Sequence, residues 1–358
     1  MSSIRWVVCL AWFAATSTAF GDTPAWKVML DAGIAQYSAG HFAEAETLLR
    51  GALEAARRNT GSIEIAETLG HVADVYLSED RFQDAEAAYS EAVSLYRQSP
   101  SVKIGWILAL RGLGMALTFE GRDRKAVSVL NEALREAKTN FKLDTHLNAV
   151  ILASLGIVYT RQYSFKKAEA LFHEIIRTQS GDRVDDLLMS TALNNLALIH
   201  REQRNYTDAE KEFRKCLRIT EDQLGSSHPG AGLIHGSLGL LYLRAGRLND
   251  AETEVLESLR ITTQTSPLIP GRLVGVLHML GEIYGRQGKL GESEDVLAQA
   301  VQIARQRPNH DPETIAVLDA YSDTLKRSGK TESARNAHRE AELLRMEKAV
   351  TVPINSLQ

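Results

Sequence analysis

Cysteine is nearly missing from this chain: there are two in 358 residues. Cys9 lies in an apolar run near the start, and Cys216 stands alone in the body. A single cysteine there cannot close an internal disulfide. Proline is also scarce, at eight residues, and aromatics make up 6%. A core of Leu, Ala and Val with so little proline suits an all-helical protein. No charge sign dominates: 41 basic and 45 acidic residues give a net charge of −4, and the two signs are interspersed. Without a basic block, nothing in the bulk charge favours nucleic acid.

Long hydrophobic runs are missing too. The longest, Trp6 to Ala15 (WVVCLAWFAA), has about ten residues. A membrane-spanning helix needs ~20. A weakly positive start precedes the run, and Ala19-Phe20-Gly21 follows it as a small-x-small site. This three-part order predicts a cleaved export signal over residues 1–21 and a periplasmic or secreted protein that is not membrane-bound after cleavage. Cys9 sits inside the run, where it is badly placed for lipidation.

Signatures of catalysis are likewise absent. The chain holds no H-E-x-x-H, no G-x-x-x-x-G-K, no G-x-S-x-G and no paired C-x-x-C. His173 and His278 have no ligand companions at metal spacing, and His228 reads as structuring its loop rather than binding metal. The expectation is a protein that is not an enzyme and uses no cofactor and no metal.

What is present is repetition. The clearest copy runs from Gly232 to Ile261 (GLIHGSLGLLYLRAGRLNDAETEVLESLRI), two amphipathic segments joined by a turn. Its anchor is Ala251. Equivalent anchors are Ala45, Ala85, Ala126, Ala168, Ala209, Ser293 and Ala334, and the steps between neighbours are 40 to 42 residues. Twelve residues before the anchors stand Gly33, Ala73, Gly114, Gly156, Ala197, Gly239, Gly281 and Ser322, every one small. Small residues let two helix axes approach, and a large neighbour fills the adjacent hole. Apolar residues four, seven and eight after the anchor keep one face of the second helix buried. Gly40, Gly121, Gly246, Gly288 and Gly329 fall five before an anchor, where glycine ends a helix in the left-handed conformation.

The pattern L-G-x-x-Y, then G-x-hydrophobic, then A-x-x-x-large-x-x-A-L resembles the tetratricopeptide repeat family. The period here, about 41, exceeds the usual ~34 residues. In this it is most similar to the long repeat of kinesin light chains, which many bacterial proteins share. Leu224–Gly230 (LGSSHPG) and Pro308–Thr314 (PNHDPET) resemble the inter-repeat loop of that subfamily. The resemblance implies an all-α, right-handed superhelical solenoid of about eight helix pairs over residues 22–346. Residues 347–358 are expected to form a loose tail, with Pro353 stopping any helix. In the last repeat His338 and Glu342 replace apolar residues, as a terminal unit without a further neighbour allows.

Function, on this resemblance, is non-enzymatic binding of a protein or extended peptide in the groove lined by the first helices. An alternative is a peptide-responsive sensor whose solenoid changes shape on binding. Asn194 and Asn195 are the first groove candidates, since an amide both donates to and accepts from a peptide backbone; the other reading is a polar, solvated face. Arg161, Arg201, Arg244 and Arg286, with Lys326-Arg327, recur near the ends of successive first helices. They either line one groove edge or complement the negative helix ends, which contributes ~0.3–1 kcal/mol each. The family's carboxylate-clamp set of paired Lys, Asn and Arg has no full match. His200, where other repeats carry Tyr, reads as a packing histidine with a hydrogen-bond partner or as a pH-sensitive group. Cys216 reads as a small buried hydrophobe. The partner and the oligomeric state leave no mark in the sequence.

Overall fold

A computed structural model describes residues 23–98, 103–141, 145–178, 186–264, 270–306 and 312–351. The expected export signal lies outside them. Among the described residues there are sixteen α-helices and no strand. They pair along the chain: α1 (Ala25–Ser38) with α2 (Phe42–Asn59), α3 (Ser62–Ser78) with α4 (Phe82–Arg97), α5 (Lys103–Phe119) with α6 (Asp123–Asn140), and α7 (Thr145–Arg161) with α8 (Phe165–Thr178). Then α9 (Asp186–Glu202) pairs with α10 (Tyr206–Leu224), α11 (Pro229–Arg244) with α12 (Leu248–Gln264), α13 (Pro270–Gln287) with α14 (Leu290–Arg305), and α15 (Pro312–Arg327) with α16 (Thr331–Thr351). These are the eight pairs of an all-α repeat solenoid.

The frame read from the sequence is the frame of the packing. All eight anchors are buried. A Cβ built on Gly33 would lie 2.6 Å from Leu49, and one on Gly114 2.5 Å from Leu130. Gly156 meets Phe172 in the same way, Gly239 meets Val255 and Gly281 meets Leu297. In each case the large residue stands four after the anchor and covers the small one twelve before it. The partners also fix direction. Gly232, Gly236 and Gly239 on α11 meet Ile261, Ser258 and Val255 on α12, so the two helices run antiparallel. Where serine replaces a small apolar residue, its hydroxyl stays at the crossing: Ser293 Oγ donates to Gly281 O at 2.8 Å, and Ser322 Oγ to Ala334 O at 2.9 Å.

The turns inside the pairs are identical in kind. Five residues before every anchor φ is positive, between 55° and 82°. The next residue donates its N–H to the carbonyl five positions back, at 2.8–2.9 Å in all eight turns. This is the Schellman closure of a helix end. Five of the positive-φ residues are the glycines read from the sequence. The others, Asp80, Tyr163 and Arg204, hold the same conformation without glycine.

Residues through Asn195 and residues from Leu196 onward form two compact units, the division falling within α9. Inside each, ion pairs tie one helix pair to the next. Arg81 reaches Glu46 at 3.0 Å and Arg122 reaches Glu86 in the first unit. Arg247–Glu210 (2.7 Å), Lys289–Glu252 (3.0 Å) and Lys330–Glu294 (2.6 Å) repeat the contact in the second. Each cation stands four before an anchor, and each glutamate one after the preceding anchor. Such half-exposed pairs contribute ~0–1 kcal/mol apiece. The last helix, α16, runs to Thr351, past the expected end of the array at 346.

Candidate functional site

The residues selected from the sequence occupy unequal environments. Asn195 is 2% exposed, and its amide donates to Thr191 O on the preceding turn at 2.8 Å. Asn194 is half-buried, and its side chain makes no hydrogen bond among the described residues. Arg161 faces Asp123 at 3.8 Å. In the second unit Arg201 and Arg244 share one carboxylate, Glu202, at 3.1 and 3.0 Å. Arg201 is buried, which lowers its pKa, with Arg244 adding to the effect. Arg286 donates to Leu243 O at 3.2 Å and to Glu282 at 2.7 Å. Arg327 donates to Gly285 O at 2.8 Å. The last two cap terminal carbonyls of the first helix one repeat earlier, a variant of helix-end complementarity. His200 contacts Glu212 at 2.9 Å, and His228 accepts from Gly230 N at 3.0 Å at the start of α11.

A different set converges in the first unit, on the face that α3 and α5 present side by side. Glu67, Gly70, His71 and Asp74 recur along one face of α3 at helical spacing. Leu108, Ala109 and Arg111 come from α5, and Tyr89 and Tyr96 from α4 behind them. Together they line a shallow, solvent-open cleft with about 20 Å³ of enclosed space. The tyrosines reach it through gaps left by glycine. Tyr96 lies where a Cβ on Gly105 would come within 2.6 Å of its hydroxyl, and Tyr89 lies against Gly112 likewise. The seven-residue spacing of the glycines on α5 matches that of the tyrosines on α4. Beside Gly70 there is open space, with nothing within 4 Å of a built Cβ.

Inside the cleft some polar groups are satisfied and others are not. The Tyr89 hydroxyl donates to Asp74 Oδ1 at 2.5 Å. Burial, then the Asp74 charge, pushes the Tyr89 pKa up. His71 Nδ1 stands 3.7 Å from Asp74 Oδ2. Burial pulls its pKa below the ordinary 6.5 despite that neighbour, so the ring is neutral at pH 7. Glu67 lies 3.7 Å from Lys27. Arg111 is 8% exposed, and among the described residues its guanidinium makes no hydrogen bond or ion pair. Tyr96 is 5% exposed, and its hydroxyl also makes no hydrogen bond among them. Buried donors are nearly always paired, because leaving one unpaired costs about 1–3 kcal/mol. One such donor, Arg111 Nε, stands at this cleft.

Sequence reasoning missed Arg111, although a signal for it existed. Arg111 stands fifteen residues before its anchor, Ala126, and Asn194 stands fifteen before Ala209. The two share one register position. At that position a lone arginine on an otherwise apolar segment (ILALRGLGMAL) was readable. Among the described residues, no three His, Cys, Asp or Glu side chains gather as a metal site, and no helix is long and apolar enough to cross a membrane.

The fold has clear relatives among solved structures. The apo form of the quorum sensor NprR from B. thuringiensis aligns with a TM-score of 0.69 at 13% identity, over 89% of this chain and 87% of that one. A Rap protein complexed with competence and sporulation factor gives 0.57 at 16%, over 91% and 76%. BtubC (BKLC) from P. vanneervenii gives 0.56 at 22%, over 64% and 94%. At these identities the likeness is one of fold. Comparison with curated protein sequences finds no match. A family profile described as a tetratricopeptide repeat matches residues 27–98, 188–264 and 273–343, more than half of the sequence. Arg111 lies between the matched segments, on a helix that keeps the repeat's small residues and its turn. With the profile, the crossing geometry and the closed turns in agreement, this chain belongs to the tetratricopeptide repeat family.

Proposed function

We propose that this protein is a non-catalytic binding module that holds an extended segment of a partner protein against the first helices of its repeats. The observation that carries this reading is the cleft between α3 and α5, where the buried Nε of Arg111 has no hydrogen-bond partner among the described residues, beside open space at Gly70. Tetratricopeptide repeats form a fold typical of protein-interaction scaffolds, which supports the choice of a polypeptide ligand. An extended strand offers carbonyl acceptors and N–H donors at regular spacing, matching a surface that carries both Arg111 and Asp74. Asn194 is a second contact in this proposal, because it takes the Arg111 register position and its amide is uncommitted. The sequence-derived arginine row takes a smaller part, since its members already hold partners of their own. The export pattern of residues 1–21 places the work outside the cytoplasm in this reading.

The test is a selection of short random peptides on the purified full-length chain, followed by amide hydrogen exchange with the best binder. Protection concentrated in α3 and α5 is the expected result. Failure to enrich any peptide, or protection confined to other helices, would overturn the assignment.

A further inference from the structure

Away from the first-helix face, one edge of the array departs from the charge pattern of the rest. In six of the eight pairs the first turn of the second helix carries an acid close to the anchor: Glu44, Asp84, Asp208, Asp250, Glu292 or Glu332. In the third and fourth pairs the two residues before the anchor are both basic, Arg124-Lys125 and Lys166-Lys167. A cation is unfavourable at that end of a helix, where the backbone dipole is positive. Helix stability therefore does not account for these four. Nor does the ladder of ion pairs between repeats. At this junction Val127 stands where the ladder's glutamate would, and Ser164 where its cation would. All four cations are exposed. Arg124, Lys125 and Lys166 make no hydrogen bond or ion pair among the described residues, and Lys167 lies over the Tyr159 ring at 5.3 Å.

The two basic pairs lie on one surface. Arg161, at the end of α7, faces Asp123, at the start of α6, at 3.8 Å, which sets the α7–α8 turn beside the α5–α6 turn. Residues 120–126 and 161–169 together carry six cations and three carboxylates, in a chain whose net charge is −4. Two of those carboxylates are already engaged, Glu120 by Arg122 and Asp123 by Arg161. In the second turn stands Tyr163, 66% exposed, its ring edge-on to Phe165 at 5.8 Å. Its φ of 55° belongs to a position that five other turns give to glycine. Here a large ring with a polar end is held in solvent instead, beside free cations.

We propose that this edge is a peripheral contact for an anionic membrane surface, with Arg124, Lys125, Lys166 and Lys167 set against lipid phosphates and Tyr163 at the headgroup boundary. Such a surface attracts exposed cations without a dedicated pocket, which suits donors spread over two helices. Tyrosine, apolar in body and polar at its tip, suits the same boundary. The sequence expectation of a chain not bound to membrane concerned an apolar anchor. No described helix is long and apolar enough to span a bilayer, and adsorption of this kind needs none. The proposal does not depend on the reading of the first-helix face as a peptide-binding surface.

The experiment follows flotation of the purified full-length chain with vesicles of phosphatidylcholine alone, and of phosphatidylcholine with about one part in three of phosphatidylglycerol. The expected result is tighter binding to the anionic vesicles, falling as salt rises. Lys166→Gln/Lys167→Gln should lose about 30-fold in that binding, at roughly fivefold for each charge near the surface. Arg124→Gln/Lys125→Gln should lose a similar amount. Lys211→Gln/Lys215→Gln, which removes two exposed cations of α10, should bind as the wild type does. Tyr163→Gly should weaken binding and melt no lower than the wild type, because glycine takes left-handed backbone without strain. That variant separates lost binding from lost folding. Every variant keeps residues 1–21, so any contribution of that apolar run is common to them all. Equal binding to the two kinds of vesicle, or an equal loss in the control at Lys211 and Lys215, overturns the proposal. So does binding of hexaglutamate, abolished by Lys166→Gln/Lys167→Gln, in a chain that ignores both vesicles; that outcome assigns the edge to an acidic protein.

Discussion

Two regions of this molecule follow one frame and end differently. In α11–α13, every glycine of α11 that faces α12 is closed over by a side chain, Ile261, Ser258 or Val255, and Arg244 and Arg286 both have acceptors. In α3–α5, Gly70 faces open space and Arg111 Nε has no acceptor among the described residues. Gly70 and Gly236 hold the same register position, fifteen before an anchor, yet only Gly236 meets a neighbour, with Ser258 Oγ 3.2 Å from a built Cβ. The repeat therefore fixes where helices touch and leaves this one position open to other uses. In one region packing occupies it; in the other it stands open.

Substitutions can break or sharpen that contrast. The largest effect is expected at the tight crossing. Gly239→Leu should lower stability by about 1–3 kcal/mol through overpacking against Val255, whereas Gly70→Leu should hold or raise the melting temperature because helix propensity improves by up to ~1 kcal/mol. Thermal unfolding of the two side by side checks this, and equal losses would erase the distinction. Next comes the charge. Arg111→Met should stabilise the chain by about 1 kcal/mol, since it removes a buried group without partners, while Arg327→Met should destabilise by a similar amount through its lost bond to Gly285 O. Denaturant unfolding of both variants reads the opposite signs.

The third test is pH. Burial holds the His71 pKa below its ordinary 6.5, so the unfolded chain takes up a proton there that the folded chain refuses. Stability from this group is complete above pH 6.5 and falls as pH drops below it, by up to ~1.4 kcal/mol per pH unit, until the folded-state pKa is passed. His71→Asn should flatten that decline in a series of melting curves. Burial lowers the His278 pKa too, so His278→Asn should flatten a comparable share in the other region. The smallest effect is at the turns. Gly246→Ala should cost about 1 kcal/mol by forcing a side chain into left-handed backbone, and Asp80→Gly should change stability by less, because Asp tolerates that conformation.

Much of the fold was legible because it depends on side-chain size at fixed intervals. Gly33, Gly114, Gly156, Gly239 and Gly281 all sit under the residue that the spacing names. The turns at Asp80, Tyr163 and Arg204 were less legible, since the surrounding helices impose a conformation that these residues do not themselves prefer. The candidate site was legible only in outline. Asn194 shares the register position of Arg111, but Asn195 turns its amide back onto its own helix. In α11, Gly236 and Leu243 are both engaged in packing: Ser258 stands over Gly236, and Leu243 is buried. No spacing rule announces that Arg111 goes without an acceptor. That depends on what α3, α4 and α5 bring to one place, and a linear pattern does not encode it.

The two tyrosines that pass through glycine gaps have a broader consequence. Tyr89 and Tyr96 belong to the second layer of helices, yet both line the cleft on the face of the first. A repeat array is usually pictured as one row of helices that reads a ligand and another that props it up. Here a missing Cβ acts as a window, and the back row contributes chemistry to the front. Specificity could thus be rewritten from behind, by pairing a glycine on one first helix with a long polar residue on its neighbour, without changing any side chain that the ligand meets from the front row.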